Sequence, residues 1–181
     1  MRKLIVSTYA TLDGRVDELQ DWVIPYNGDA SVVYHTELLK NSDGLLLGRK
    51  TYDVFAKIWP PRSGELPYVD KINRMAKHVA STTLKDLEWE NSHLIEGDVV
   101  DGVAKLKQQP GADLVMYGCH DLMHKLLEHD LIDEYRILVH PVVLGKGRSL
   151  FADGAIPLTL ELIDNATIAS GVVVLTYQPA R

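Results

Sequence analysis

Short apolar runs along the chain alternate with stretches of helical period, and most runs end at a glycine, proline or hydroxyl residue. Leu4 to Tyr9 predicts a first strand, and Ala30 to Lys40 a helix that Asp29 is placed to cap. Leu45-Leu46-Leu47 predicts a buried strand that breaks at Gly48. A short helical turn through Tyr52 and Phe55 follows it. Val69 to Met75 predicts a second helix, and His78-Val79-Ala80 a short strand ending at Ser81. Val99 to Gln108 puts Val99, Val103 and Leu106 on one helical face. Leu114 to Tyr117 predicts a strand ending at Gly118. His120 to Glu128 predicts a helix, and Glu134 to His140 a strand closed by Pro141. Leu158 to Ile163 and Val172 to Tyr177 have no helical pattern between them, so they predict an antiparallel hairpin joined through Asn165 and Gly171.

Strands alternating with helices and closed by an antiparallel pair describe a three-layer α/β fold: a mixed, mostly parallel sheet with helices on both faces. The 181 residues suit one domain spanning 1–181, and we find no internal repeat or low-complexity tract. The most breaker-rich stretch, Trp59 to Pro67, predicts a surface loop within that domain. A formal net charge of −6 argues against nucleic acid or an anionic membrane as main partner, since both reward an excess of Lys and Arg. One cysteine, Cys119, cannot form an internal disulfide, which fits a reducing, cytoplasmic setting. The apolar start of the chain turns polar by Ser7, too soon for a signal peptide or a membrane span.

In a sheet of this kind ligands bind beyond the carboxyl ends of the strands, which directs attention to the segments after Tyr9, Leu47, Ala80 and Tyr117. Three of them carry groups suited to phosphate. Gly48-Arg49-Lys50-Thr51 combines a glycine, the N–H groups of a following turn and two cations, although the same residues would also make an ordinary solvated turn. Ser81-Thr82-Thr83 offers three hydroxyls for a phosphate or, equally, a turn or capping cluster. Gly118-Cys119-His120-Asp121 is a strand-to-helix turn whose N–H groups can hold a pyrophosphate, though it lacks the full glycine-rich fingerprint. His120 and His124 have helical metal-pair spacing, with His129 nearby, but no matching Cys or Glu-rich partner is evident, so no metal is expected.

The order of these pieces resembles a known family. Val6-Ser7-Thr8-Tyr9-Ala10-Thr11-Leu12-Asp13-Gly14 and Leu45 to Tyr52 resemble dihydrofolate reductases and the reductase domain of riboflavin biosynthesis. Leu126 to Tyr135, followed by His140-Pro141-Val142-Val143-Leu144-Gly145-Lys146-Gly147-Arg148-Ser149-Leu150-Phe151, is similar to the riboflavin branch in particular. The resemblance implies a dihydrofolate reductase-like fold and NADPH as cofactor. It places Gly48, Arg49, Lys50 and Thr51 at the cofactor phosphates, and Ser81 and Thr82 near the adenosine ribose and its 2′-phosphate. It puts Gly118, Cys119, His120, Asp121 and Leu122 at the pyrophosphate, and Tyr9, Ala10 and Thr11 against the nicotinamide. Asp13 and Trp59 are candidates for the substrate side, each with an alternative as turn or packing residue.

Two departures matter. Cys119 stands where relatives often carry a second glycine or a serine. The pterin-handling acid of dihydrofolate reductases would fall at Val32, and Asp29, about one turn earlier, is the nearest acidic candidate. The resulting expectation is an NADPH-dependent reductase acting on a small pyrimidine- or pteridine-like metabolite, of riboflavin-reductase type and homodimeric. The alternatives are a non-catalytic NADPH-binding protein and a true dihydrofolate reductase using Asp29.

Overall fold

The computed structural model describes residues 1–118, 121–151, 155–168 and 171–180. The chain is an α/β protein whose strands are mostly parallel, with an antiparallel pair at the C-terminal end. Its contacts divide it into two compact units. One is formed by Met1–Leu4 and Tyr34–Tyr117, the other by Ile5–Val33 and Gly118–Arg181.

The first unit holds β2 (Ser42–Gly48), β3 (Ala76–Ala80), β4 (Ser92–Leu94) and β5 (Asp113–Tyr117), all parallel, in the order β4-β3-β2-β5. Leu45, Leu46 and Leu47 are fully buried, as expected of a parallel strand covered on both faces. Around them run most of α2 (Asp29–Lys40), then α3 (Arg49–Ile58), α4 (Pro67–Arg74) and α5 (Val99–Gln108). Local chemistry fixes their ends. Pro67 opens α4, where its missing N–H is harmless, and Lys71 and Arg74 sit in the last turn against the helix dipole. Asp98 caps α5 by accepting from Val100 N–H at 2.8 Å.

The second unit holds β1 (Leu4–Thr11, less its first residue), β6 (Glu134–His140), β7 (Leu160–Ile168) and β8 (Val172–Pro179), in the order β1-β6-β8-β7. β1 and β6 are parallel with Thr11 opposite His140, while β6–β8 and β8–β7 are antiparallel. Two short helices, α1 (Leu19–Trp22) and α6 (Asp121–Leu127), also belong to it. Met123, Leu126 and Leu127 form the buried side of α6.

Four expectations change. Asp29 does not cap α2; it is the helix's first residue, and Val32 N–H bonds to Gly28 C=O. The turn after Gly48 runs on into a ten-residue helix. β4 was not expected, because three residues, Ser-His-Leu, are too few to show a period. Asn165 does not join the hairpin; it lies within β7 opposite Leu175, beyond a register shift between Leu162 and Asp164. Seven of the nine residues of β7 are exposed, so polar side chains do not interrupt it.

Candidate functional site

In the first unit, the carboxyl end of β2 passes into α3 at Gly48, an extended residue with φ −73° and ψ 160°. Gly48 has no side chain to cap the helix, and the first turn of α3 carries no acid. Its leading N–H groups therefore stay unspent by the helix itself, an arrangement that with the helix dipole suits an anion. Lys50 is exposed and Thr51 half-buried there. Arg49 joins this end to the segment after β3. Its Nη1 donates to Thr83 Oγ1 at 2.6 Å, and its Nε to Asp53 Oδ2 at 2.8 Å. The Asp53 pair is half-exposed, so it orients the guanidinium more than it neutralises it. Ser81 fulfils the turn alternative: its Oγ accepts from Thr83 N–H and Leu84 N–H at 3.2 and 3.0 Å. Thr82 is exposed beside it. The sequence-selected groups after β2 and after β3 thus meet through Arg49 and Thr83.

The same unit contains an aromatic circuit that sequence reasoning reached only at Trp59. His35 of α2 lies 5.5 Å from Tyr68 of α4, and Tyr68 lies 5.9 Å from Trp59, just past α3. Trp59 is 5.6 Å from Phe55, Phe55 is 5.9 Å from Tyr117 at the end of β5, and Tyr117 returns to His35 at 5.7 Å. These centroid spacings lie in the range of favourable aromatic pairs. His35 is buried while the other four rings remain half-exposed. Trp59 Nε1 is buried without a hydrogen-bond partner among the described residues, and the Arg62 guanidinium lies 5.4 Å from its ring centre. His35 Nδ1 and the Tyr117 hydroxyl are 3.2 Å apart. Burial pushes the His35 pKa down to about 4, so its imidazole is neutral near pH 7. Burial raises the Tyr68 phenol. A pointer was present in the sequence, since Phe55 and Trp59 are four residues apart on a helical face, as was the tyrosine closing β5.

In the second unit, Tyr9, Ala10 and Thr11 end β1, Tyr9 half-buried and the other two buried. Asp13 follows in a turn that consumes its carboxylate. It accepts from Thr11 Oγ1 at 2.6 Å, Gly145 N–H at 2.8 Å and Leu144 N–H at 3.2 Å. The Thr11 hydroxyl, then the Gly145 N–H, hold this carboxyl down at about 2. Asp13 is thereby a clamp between the exit of β1 and the segment after β6.

His140, which sequence reasoning missed, is buried at the carboxyl end of β6. Tyr9, Trp22 and Tyr26 surround it edge-on at 5.3, 5.1 and 5.4 Å. Its Nδ1 lies 3.0 Å from Leu138 O, and burial lowers its pKa. Gly118 takes φ +92°, a conformation suited to glycine, and its N–H reaches Ser7 O at 3.3 Å. Asp121 is exposed at the start of α6 and Leu122 half-buried. Cys119 and His120 lie outside the described residues. Asp29 is exposed. His124 Nε2 lies 3.1 Å from Leu150 O, and no cluster of three metal-ligating side chains occurs among the described residues. Nor is any helix among them long and apolar enough to cross a membrane.

Comparison with known proteins bears on the family and the fold. The chain is 32% identical over 184 residues to the uncharacterized protein YyaP of Bacillus subtilis (strain 168), covering 97% of this chain and 94% of that one. A putative riboflavin biosynthesis protein from Shewanella sp. PV-4 superposes with a TM-score of 0.75 at 25% identity, over 99% of both chains. A diaminohydroxyphosphoribosylaminopyrimidine deaminase/5-amino-6-(5-phosphoribosylamino)uracil reductase from Thermotoga maritima shares the fold, with a TM-score of 0.70 at 15% identity. This chain corresponds to 57% of that longer protein. The model of the family described as RibD C-terminal domain matches residues 2–174, and the chain belongs to that family.

Proposed function

We propose that this protein is an NADPH-dependent reductase that transfers hydride to a small pyrimidine- or pteridine-like metabolite. The observation that carries the reading is the end of α3. There an acid-free helix N-terminus, Lys50 and Thr51 stand beside an Arg49 that Thr83 and Asp53 hold in place. Such a donor set suits a phosphate group, and a cation with neighbouring hydroxyls is what a 2′-phosphate requires. Arg49, Lys50, Thr51, Ser81 and Thr82 are assigned to the cofactor phosphates. In the second unit, Tyr9, Ala10 and Thr11 are assigned to the nicotinamide, and Gly118 to Leu122 to the pyrophosphate. Asp13 serves the nicotinamide side indirectly, by fixing the turn that leaves β1.

The cofactor when bound supplies the hydride, while the protein positions and polarises the acceptor. Trp59, flanked by Phe55 and Tyr68, with Tyr117 against Phe55, offers flat apolar faces for a planar ring, and Arg62 an adjacent cation. The printed substrate of the Thermotoga maritima protein, 5-amino-6-(5-phosphoribosylamino)uracil, is such a ring with an anionic tail and is the first acceptor to try. Asp29 as a catalytic acid is the weaker assignment, because it stands exposed to solvent at the start of α2. An Asp29→Asn variant with unchanged turnover removes it. The same reading takes the protein as a cytoplasmic homodimer, which light scattering on a sizing column tests.

The deciding experiment is titration of wild type and Arg49→Ala with NADPH and NADH, followed by nicotinamide fluorescence. Tight NADPH binding by wild type, with Arg49→Ala losing NADPH affinity by roughly tenfold or more and NADH affinity much less, is the expected result. Absence of binding to either cofactor removes the reductase reading. Equal losses for both cofactors remove Arg49 from the 2′-phosphate.

A further inference from the structure

We propose that the Tyr117 hydroxyl is the proton donor of this reductase and that His35 is the positioning residue that prepares it. The inference rests on the reductase reading and extends it to a residue pair with no role so far. Reducing a C=O or C=N group takes a proton as well as a hydride, and tyrosine is among the side chains that supply one. The aromatic circuit of the first unit contains no acid: its members are His35, Phe55, Trp59, Tyr68 and Tyr117. Of these, Tyr117 combines a hydroxyl, partial exposure and a place at the carboxyl end of a parallel strand, where ligands of such sheets bind.

His35 is built to act on that hydroxyl. It stands on the buried side of α2 with Leu38 and Leu39, and its ring is enclosed by Tyr34, Tyr68 and Tyr117 at 5.0, 5.5 and 5.7 Å. In that apolar enclosure the imidazole stays neutral and carries one N–H. With the proton on Nδ1, 3.2 Å from the phenol oxygen, His35 donates to Tyr117. The phenol proton is then directed to a substrate heteroatom instead of to the imidazole. As hydride arrives from reduced nicotinamide at the carbon of a C=O or C=N group, the Tyr117 O–H bond breaks. Its proton joins the oxygen or nitrogen that has received the electron pair, giving an alcohol or amine. The phenolate oxygen, held by the His35 N–H, regains its proton from water.

Two measurements test the pair. The first needs neither cofactor nor substrate: two-dimensional NMR of protein labelled with 15N-histidine reads which nitrogen of His35 carries the proton at pH 7. A neutral ring protonated at Nδ1 is expected; protonation at Nε2 with a bare Nδ1 overturns the proposal, because the phenol proton would then be spent on His35. The second is steady-state reduction of 5-amino-6-(5-phosphoribosylamino)uracil, or of whichever pyrimidine or pterin acceptor wild type turns over. Tyr117→Phe should lower kcat by about 100-fold or more, with KM within about threefold and NADPH fluorescence titration unchanged. His35→Leu should fall with it, and His35→Asn, which restores a donor near Nδ1, should recover at least about tenfold over His35→Leu. Tyr117→Phe at wild-type kcat overturns the proton donor while leaving the reductase reading intact. A wild type that reduces no acceptor overturns both.

Discussion

Acid should weaken this fold through His35, by an amount that follows from its burial. The side chain is only 7% exposed, and burial lowers its pKa from 6.5 to about 4. Between those values the unfolded chain binds the proton and the folded chain does not, so stability falls as pH drops from 6.5 and the loss is complete below 4. At 1.36 kcal/mol per pKa unit the gap is worth about 3 kcal/mol, a large share of the stability of an ordinary domain. Burial also lowers His78 and His140, which act in the same direction, so the contribution of His35 has to be isolated by difference. Urea unfolding of wild type and His35→Gln, followed by tryptophan fluorescence at intervals from pH 8 to pH 4, provides that difference. Wild type should lose about 3 kcal/mol more than the variant over this range, whatever their offset at pH 8. Parallel curves would refute the reasoning, for they would mean that His35 gains its proton in the folded state as readily as in the unfolded one.

Other substitutions test separate parts of the structure. A methyl group added at Gly102 in α5 would lie 2.2 Å from Ile95 Cγ2, so Gly102→Ala should destabilise by about 1–3 kcal/mol although alanine favours helices. The same change in an Ile95→Ala background should be neutral or stabilising, and urea midpoints of the four proteins measure the coupling. Asp13→Asn should speed hydrogen exchange at the amides of Leu144 and Gly145. The native carboxylate, held at about 2 against 3.8, contributes stability that is present above pH 3.8 and lost as pH falls through about 2, so the variant should lose that part of its acid limb. Lys77 is fully buried, with Nζ 2.8 Å from Glu90 O, also bonded to Asn73 O, and 4.3 Å from the centre of the Trp89 ring. Burial lowers its pKa to about 8, so the unfolded chain holds more protons between pH 8 and 10.5, and stability should rise with pH across that window. Lys77→Met should abolish the rise, which thermal melts from pH 7.5 to 10.5 would show.

What the sequence displayed and what it hid follow from how local each feature is. Glu134 to His140 and Val99 to Gln108 were readable to their ends, since each is one apolar pattern between strong breakers. β4 depends on the parallel neighbour β3 for its existence, and three residues cannot show that dependence. The phosphate-type groups were readable because strand ends and a glycine announce them. The bond from Arg49 to Thr83 spans 34 residues and appears only when β2 and β3 lie side by side. The aromatic circuit was less legible still, since its five rings come from three helical segments, a loop and a strand end. His35 by its spacing from Leu38 and Leu39 looks like any core residue. His140 is the same case in the second unit, with partners 114 to 131 positions away.

The inventory of buried acids decides how such a site can handle a proton. Among the described residues the one buried acidic side chain is Glu134, and Arg136 Nε binds it at 2.6 Å. It opens β6, so it stands at the amino end of its strand, away from the end where ligands of such sheets are held. Asp29 is exposed, and the Asp13 carboxylate is occupied by Thr11, Leu144 and Gly145. None of these three offers a buried carboxyl without a donor already on it. Each unit instead carries a buried histidine among aromatic rings near the carboxyl end of a parallel strand. His35 meets the Tyr117 hydroxyl beyond β5, and His140 ends β6 against Tyr9. On the reductase reading proposed above, proton delivery is to be sought in a phenol and a neutral imidazole. A pH–rate profile flat from pH 6 to 8, without the carboxyl ionisation that an aspartate-dependent reductase would show there, is the kinetic form of that conclusion.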